Sequence, residues 1–429
     1  MNNLAIELKG KRLLLLGGRL WMKAISDFCR ENGIVIVTAG NIPSSKINRI
    51  ADEYYNIDST DSTAMKKLIK EKHIDGVYLG GSEPVITAAV AYVNDLGLPC
   101  YCNQWQWECL QNKSKFKQLC LENGLPVAPR FDYETLLRQE SVKEFPVVIK
   151  PVDGSGSKGF SVCKNKEALK KGYMYAVEAS FTGEVLIEKF LHNESIVVFY
   201  TLSNGNVIFS GIEDKYPVRY KEQGSYVAGL HLFESDLAEC FRTLYEEKLK
   251  NFFKAIGVSE GSLWIEVFYD SGQFYFNEVG YRYSGSVSVY PVDYFYGINQ
   301  VAADIYYALT GKSRVHGFLP LCKTNIERKK KYAIYSIHIR HGIIGEEIGF
   351  DEIERLNNVV AIPTTKNIGD EVQSSGTVDQ VYAFVHFTFD DDNELRRMLA
   401  KIQRTLKVYD SHGVDMINHM INPDSLVIR

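Results

Sequence analysis

The chain of 429 residues has no apolar run long enough to cross a bilayer, no internal repeat and no low-complexity stretch. Its net charge is only −4 and its pI about 6.2, which leaves no basic footprint for nucleic acid or for a membrane surface. Cysteine is sparse and scattered: of eight, only Cys100 and Cys102 sit close together. No paired set completes a zinc site, so the thiols read as reduced core residues of a cytoplasmic protein. The histidines show no metal-ligand spacing either. The opening "MNNLAIELKGKRLLLLGG" has too short an apolar run for a signal peptide, and it stops at a Gly-Gly turn. It reads as a buried strand.

What is present is an ordinary globular composition, 45% hydrophobic and 24% charged, on a chain long enough for two to four domains. The first hundred residues alternate strand and helix. "RLLLLGG", "IVIVTAG", a weak "YYNID", "DGVYLGG" and "LPCYC" read as strands. "LWMKAISDFCRENG", "STAMKKLIKEKHI" and "EPVITAAVAYVNDLG" read as helices. Continuous apolar strands separated by helices imply an open parallel sheet. "NKSKFKQLCLENGLPVAPRF" is a charged amphipathic helix at a boundary. Strand-rich sequence follows from 145 to 280, broken by helices at 165–180 and 235–257, and "GINQVAADIYYALTGK" is a further helix. The last hundred residues carry the strands "KYAIYSIHIRHGIIGEEIG", "VVAIPTT" and "VYAFVHFTFD". "NELRRMLAKIQRTLKVYD" reads as a helix.

Three stretches carry chemistry. In "KPVDGSGSKG", Lys150 ends a buried strand, and glycines at 154, 156 and 159 with Ser155 and Ser157 between them let the backbone fold over an anion and donate N–H groups. Alone, such a loop equally suits a hairpin tip. It matches neither the P-loop nor the dinucleotide fingerprint. In "VLIEKFL", residues 185–191, Glu188 and Lys189 suit either an edge strand with solvated charges or a strand whose terminal backbone reads a purine edge. In "LWIEVFYDSGQFYFNEVGYRYSGS", residues 263–286, Glu266 and Glu278 flank a hairpin turn. An odd-numbered loop puts them on one face; a two-residue loop puts them on opposite faces. Facing carboxylates repel unless something positive lies between them, and one or two carboxylates plus phosphate oxygens are how magnesium sits in nucleotide sites. Arg282 follows, able to clamp a carboxylate or phosphate bidentately.

Together these stretches resemble the ATP-grasp superfamily of carboxylate–amine ligases. The first domain resembles the one that precedes the ATP-grasp fold in biotin carboxylase and the purine carboxylases. The resemblance implies an open parallel-sheet domain at 1–110 and an ATP-grasp domain at 111–318, with a lid at about 125–190. A small C-terminal α+β segment at 319–429 completes it. Lys113 and Lys150 match the two ATP-binding lysines. "DGSGSKG", with Gly154, Ser155, Gly156, Ser157 and Gly159, matches the loop that closes over the phosphates. Glu188, Lys189, Phe190 and Leu191 match the adenine-contacting hinge, and Glu194 the ribose contact, one residue short of the usual spacing. Glu266 and Glu278 match the metal ligands, Glu278 and Arg282 the catalytic positions. ATP with Mg2+ (or Mn2+) is the implied cofactor. One departure matters: the position of the usual asparagine ligand is Gly280, a change shared with amino-acid ligases of the group.

The implied reaction phosphorylates a small-molecule carboxylate and lets an amine attack the acyl phosphate. No nucleic acid or membrane partner is implied, and a homodimer is common among such proteins. Arg219 and His231 are candidates for the acceptor pocket, against the plainer readings of a surface loop and a satisfied strand residue. The rival readings are a bicarbonate-using carboxylase and a nucleotide binder without turnover. "AMKK" at 64–67 is not a biotin attachment site, because it falls in a helix.

Overall fold

The computed structural model describes residues 3–138, 143–153, 158–191, 194–220, 226–322, 330–419 and 421–428. The first sheet is parallel, with strands β1 (Arg12–Leu15), β2 (Val35–Ala39), β3 (Glu53–Tyr55) and β4 (Gly76–Tyr78) in the order β3-β2-β1-β4. Strands β1, β2 and β4 are apolar and largely buried because helices cover them, as the alternation predicts. The helices keep the expected stops: Met22–Asn32 ends on Gly33 at φ 65°, and Ser62–Glu71 starts on an Asp61 side chain that accepts from Thr63 and Ala64 N–H. "LPCYC" is not a strand. Asn94 donates to the Cys102 carbonyl at 3.0 Å, and the Tyr101 hydroxyl donates to the Tyr281 carbonyl at 3.1 Å. The segment therefore packs across to the rest of the chain instead of joining the sheet.

A small antiparallel sheet follows, β5 (Val147–Pro151), β6 (Ser161–Cys163) and β7 (Val185–Lys189), in the order β6-β5-β7 with the helix Lys166–Ala179 on it. The remaining strands are β8 (Glu194–Ser203), β9 (Asn206–Arg219), β10 (Tyr226–Phe233), β11 (Gly261–Asp270), β12 (Gln273–Gly280), β13 (Lys331–His338), β14 (Gly342–Ile348), β15 (Val359–Ala361), β16 (Glu371–Val372), β17 (Val381–Phe389) and β18 (Lys407–Asp410). Eight of them make one sheet, β12-β11-β8-β9-β10-β13-β17-β15, and β16-β14-β18 make a separate ladder. Three of the strands after residue 330, β13, β15 and β17, thus extend the same sheet that carries the β11–β12 hairpin. The long C-terminal helix ends earlier than its periodicity predicts, at Thr405, and "KVYD" pairs with β14 as a strand.

This is a mixed α/β chain with a parallel N-terminal sheet and antiparallel sheets after it. Two large apolar clusters run from the first sheet into the faces of the eight-stranded one. The long helix Ala238–Ile256 supplies Phe241, Tyr245, Phe252 and Phe253 to this core, with Phe241 and Tyr245 edge-on against Phe274 and Phe276 of β12. One face of the hairpin is thereby sealed, and its polar residues are left for the other.

Candidate functional site

The hairpin turn is Ser271-Gly272, with φ of 52° and 83°, and Asp270 pairs with Gln273 across it. Two residues of positive φ suit a tight turn that follows the strand twist. By simple alternation such a turn separates the two glutamates. A β-bulge reverses this: Val267 pairs with Phe276, but Glu266 pairs directly with Glu278, and Asn277 is the extra residue. The two carboxylates therefore lie opposite each other, and the positive charge that facing carboxylates require is present. Lys215 Nζ, from β9, lies 2.5 Å from Glu266 Oε1, and Lys113 Nζ lies 3.4 Å from Glu278 Oε2.

Asn277 ties this pair to a second set of charges. Its Nδ2 donates to Glu266 Oε2 at 2.6 Å, and its Oδ1 accepts from Lys150 Nζ at 2.6 Å and from Lys117 Nζ at 3.4 Å. Both lysines also reach Glu188: Lys150 at 3.1 Å, and Lys117 in a close ion pair. Burial raises the Glu188 carboxyl, but Lys150 and Lys117 outweigh it and hold the group at about 2. Glu266 is likewise held at about 2, burial being overcome by Lys215 and the Asn277 hydrogen bond. Burial lowers the Lys150 and Lys215 ammoniums, yet Glu188 and Glu278 for the one, and Glu266 for the other, keep both above the ordinary lysine range. Lys117 differs: burial, then the neighbouring Lys150, push it down to about 7 against the pull of Glu188.

Local structure explains how the lysines get there. The helix Lys113–Glu122 starts on Asn112, whose side chain accepts from Lys115 N–H, and the Lys113 N–H donates to the Val152 carbonyl at 3.0 Å just past β5. The helix start is thus fixed to the strand that carries Lys150. Lys117 lies one helical turn after Lys113, on the same face. That spacing was the available signal for it. Lys215 and Asn277 had no comparable signal, since one lies on a strand three places away in the sheet and the other depends on the bulge.

The remaining expected positions divide. Gly159 has φ 74°, and a side chain there would meet Pro151 and Ala179 at 2.7 Å, so the loop must return close to β5. Gly154, Ser155, Gly156 and Ser157 lie outside the described residues, as do the side chains of Glu194 and Arg219. In the hinge stretch, the Glu188 side chain faces inward on the lysines. The Lys189 and Phe190 N–H groups donate to the Pro129 and Pro146 carbonyls at 2.9 and 3.1 Å, and Leu191 is buried. Those two donors are therefore engaged within the fold. His231 is buried on β10 and bonded through Nδ1 to Glu213 at 2.8 Å, the plainer of its two readings.

Arg282 does not point at Glu278. It forms a close ion pair with Glu83 at the start of the helix Glu83–Asp95, donates to the Tyr283 carbonyl at 2.9 Å, and lies over the Trp264 ring at 5.4 Å. Trp264 also accounts for Gly280. The two residues pair across the ladder, and any Cβ at 280 would fall inside the indole ring. No larger residue fits there while Trp264 keeps its place. The oxygen donors that remain, Glu278 and Glu266 with phosphate oxygens to complete the shell, suit a hard divalent cation. Among the described residues no group of three His, Cys, Asp or Glu gathers, so a metal held by protein alone is not what this donor set makes.

The ATP-binding domain family of the carbamoyl-phosphate synthase L chain matches residues 112–302, the segment that holds every lysine and glutamate of this cluster. The formate-dependent phosphoribosylglycinamide formyltransferase of Vibrio vulnificus (strain YJ016) is 24% identical over 278 residues, 63% of this chain and 69% of that one. In fold, the L-amino acid ligase from Bacillus licheniformis is similar at a TM-score of 0.72 and 18% identity, covering 94% of this chain and 99% of that chain. The biotin carboxylase domain of 2-oxoglutarate carboxylase from Hydrogenobacter thermophilus, a dimer solved with MgADP and bicarbonate, is similar at a TM-score of 0.73 and 19% identity, covering 93% and 91%. Residues 112–302 are thus similar to that ATP-binding domain family, and the fold of nearly the whole chain is shared with the ligase and carboxylase structures.

Proposed function

We propose that the protein is an ATP-dependent carboxylate–amine ligase. It activates a small-molecule carboxylate as an acyl phosphate and joins it to an amine, an amino acid or a close analogue, with release of ADP and phosphate. One observation carries this reading: lysines from two sheets and a helix converge on two facing glutamates inside the segment matched to an ATP-binding family. A polyphosphate needs that concentration of positive charge. The paired carboxylates are the oxygen donors that would hold Mg2+, which would offset the negative charge of the phosphates.

The chain's own residues do the rest by position. Lys113 and Lys150 offset charge on the phosphates, their ammoniums held in place by Glu278 and by Glu188 with Asn277. The loop ending at Gly159 excludes water, which would hydrolyse an acyl phosphate. Glu188, Lys189, Phe190 and Leu191 form the base-side wall in this reading, and Glu194 the ribose side. Arg282 steadies the acceptor carboxylate or the tetrahedral intermediate once released from Glu83. A cytoplasmic homodimer, 1–110, 111–318 and 319–429 as structural units, and Mn2+ as a substitute ion complete the reading. No described helix is long and apolar enough to cross a membrane.

The test is ADP release with Mg·ATP across pairs of L-amino acids, and separately with single carboxylates plus ammonia or bicarbonate, with Glu278→Gln as control. Release that requires a carboxylate and an amine, and that is lost in the variant, is expected. Release with bicarbonate alone would move the protein to the carboxylase reading. ATP binding without release under any pairing would favour the non-catalytic one.

A further inference from the structure

The two glutamates are not equivalent. Glu266 is already engaged at both oxygens by the chain itself: Oε1 receives Lys215 Nζ at 2.5 Å and Ser195 Oγ at 3.2 Å, and Oε2 receives Asn277 Nδ2 at 2.6 Å. A carboxylate has about four lone-pair sites, and three donors from Lys215, Ser195 and Asn277 already occupy both oxygens here. Among the described residues Glu278 has one ion-pair partner, Lys113 at 3.4 Å, and its side chain is 30% exposed. Asn277 offers no free ligand, because its oxygen accepts from two lysines. Gly280 offers none, because Trp264 occupies the space of any side chain there. A second divalent ion would therefore have to take Glu266 from three donors with no further protein ligand to help.

On the reading that the site binds ATP, we propose that Lys215 stands in for a second divalent ion. One ion enters with the nucleotide and sits on Glu278. The Lys215 ammonium, anchored by Glu266, supplies the other positive contact to the terminal phosphate. Charge is consistent with this. Lys113, Lys117, Lys150 and Lys215 face Glu188, Glu266 and Glu278, so with all seven groups ionised the empty cluster is already positive before any metal arrives. An ammonium is a compact point charge that makes no geometric demand on its ligands, whereas Mg2+ demands a near-octahedral oxygen shell that this wall cannot complete twice. Glu266 is then a positioning residue for Lys215, not a metal ligand.

The experiment counts ions. Free Mn2+ is measured by its electron paramagnetic resonance signal during titration of the full chain with a non-hydrolysable ATP analogue present. One Mn2+ per bound nucleotide is expected in the unaltered protein, which needs no variant to fold. Two ions per nucleotide would overturn the proposal. In the variants, Glu278→Gln should weaken Mn2+ binding by roughly tenfold or more, and Glu266→Gln should leave it nearly unchanged while lowering ADP release. Equal weakening in both would also overturn it. Lys215→Met should keep the single Mn2+ and lose ADP release; unchanged ADP release would remove Lys215 from the phosphate. A chain that binds no nucleotide analogue fails the ATP reading itself, and the proposal falls with it.

Discussion

Two polar clusters lie on the eight-stranded sheet, and they are built on opposite terms. The first joins Glu266, Glu278, Asn277, Lys113, Lys215, Lys150, Lys117 and Glu188 by ion pairs and hydrogen bonds. The second lies toward the C-terminal strands: His231 with Glu213, Tyr332 with His386 at 3.0 Å, and Tyr220 with His338 at 2.9 Å. Burial pushes His386 down to about 3 and His338 to about 4, so both rings are neutral at ordinary pH. Glu213 Oε2 and Ser336 Oγ are buried without hydrogen-bond partners. Glu213 and Lys215 are two residues apart on β9, on the same face, so the two clusters meet there. The difference shows what burial tolerates: a charged cluster persists where every charge has an opposite neighbour, whereas the buried His386 and His338 go neutral. Only the first has an excess of positive charge to offer an anion.

The sharpest way to break the contrast is to remove Glu188. In Glu188→Leu, Lys117 and Lys150 lose their shared counter-charge, and stability should fall by about 3–5 kcal/mol in urea unfolding. Adding Lys117→Met should return part of it, since one stranded charge is then gone. Next in size, Lys150→Met should lower ADP release on the order of 10²–10³-fold, with nucleotide affinity measured separately.

Gly280→Ala forces a methyl group into the Trp264 ring and should cost about 1–3 kcal/mol; Trp264→Ala in the same chain should relieve the clash, which a thermal-melt series would show.

Acid titration separates the clusters by sign and by window. Glu188 and Glu266 have folded values near 2, below the ordinary 4.5. Their contribution to stability is present above pH 4.5 and is lost as pH falls from there toward 2. His386 and His338 lie below the ordinary 6.5, so their contribution is present above 6.5 and starts to fall away below it. Between pH 6.5 and 4.5 the slope from each histidine should approach about 1.4 kcal/mol per pH unit. Equilibrium unfolding at pH 6.5 and 5 measures it, and His386→Asn should flatten it. The smallest effect is Tyr220→Phe, which removes the hydroxyl that bonds His338. It should cost about 1 kcal/mol and leave ADP release unaltered; a loss of release would mean the histidine cluster takes part in the chemistry.

Much of the site was legible because its elements announce themselves locally. Lys113 opens a capped helix, Lys150 closes an apolar strand, and the glutamates sit in aromatic-rich strands around a Ser-Gly turn. Which face the glutamates occupied was not legible, since the turn length argued for opposite faces and only the bulge at Asn277 brought them together. Arg282 was legible as a residue but not in its partner, Glu83, which lies 199 positions earlier in the chain. Lys215 was invisible: it sits between Asp214 and Tyr216 on a strand with no pattern to mark it. In the fold, "LPCYC" has strand composition, yet long-range hydrogen bonds to Asn94 and Tyr281 decide its path. "KVYD" continues an amphipathic period, yet pairing with β14 takes it out of the helix.

The amino-acid order by itself determined the alternating first sheet, the hairpin, the helix starts and stops, and the charged residues Lys113, Lys150, Glu188, Glu266 and Glu278 that meet at the site. These depend on apolar periodicity, capping side chains and positive-φ turns, all of which act over a few residues. Tertiary structure alone decided that Glu266 is held by Lys215, that Asn277 links two ion-pair sets, and that Trp264 bars a side chain at position 280. Each of those depends on sheet order and on a one-residue bulge, and the free energy that selects them comes from bringing together charges as far apart in the chain as Lys113 and Glu278.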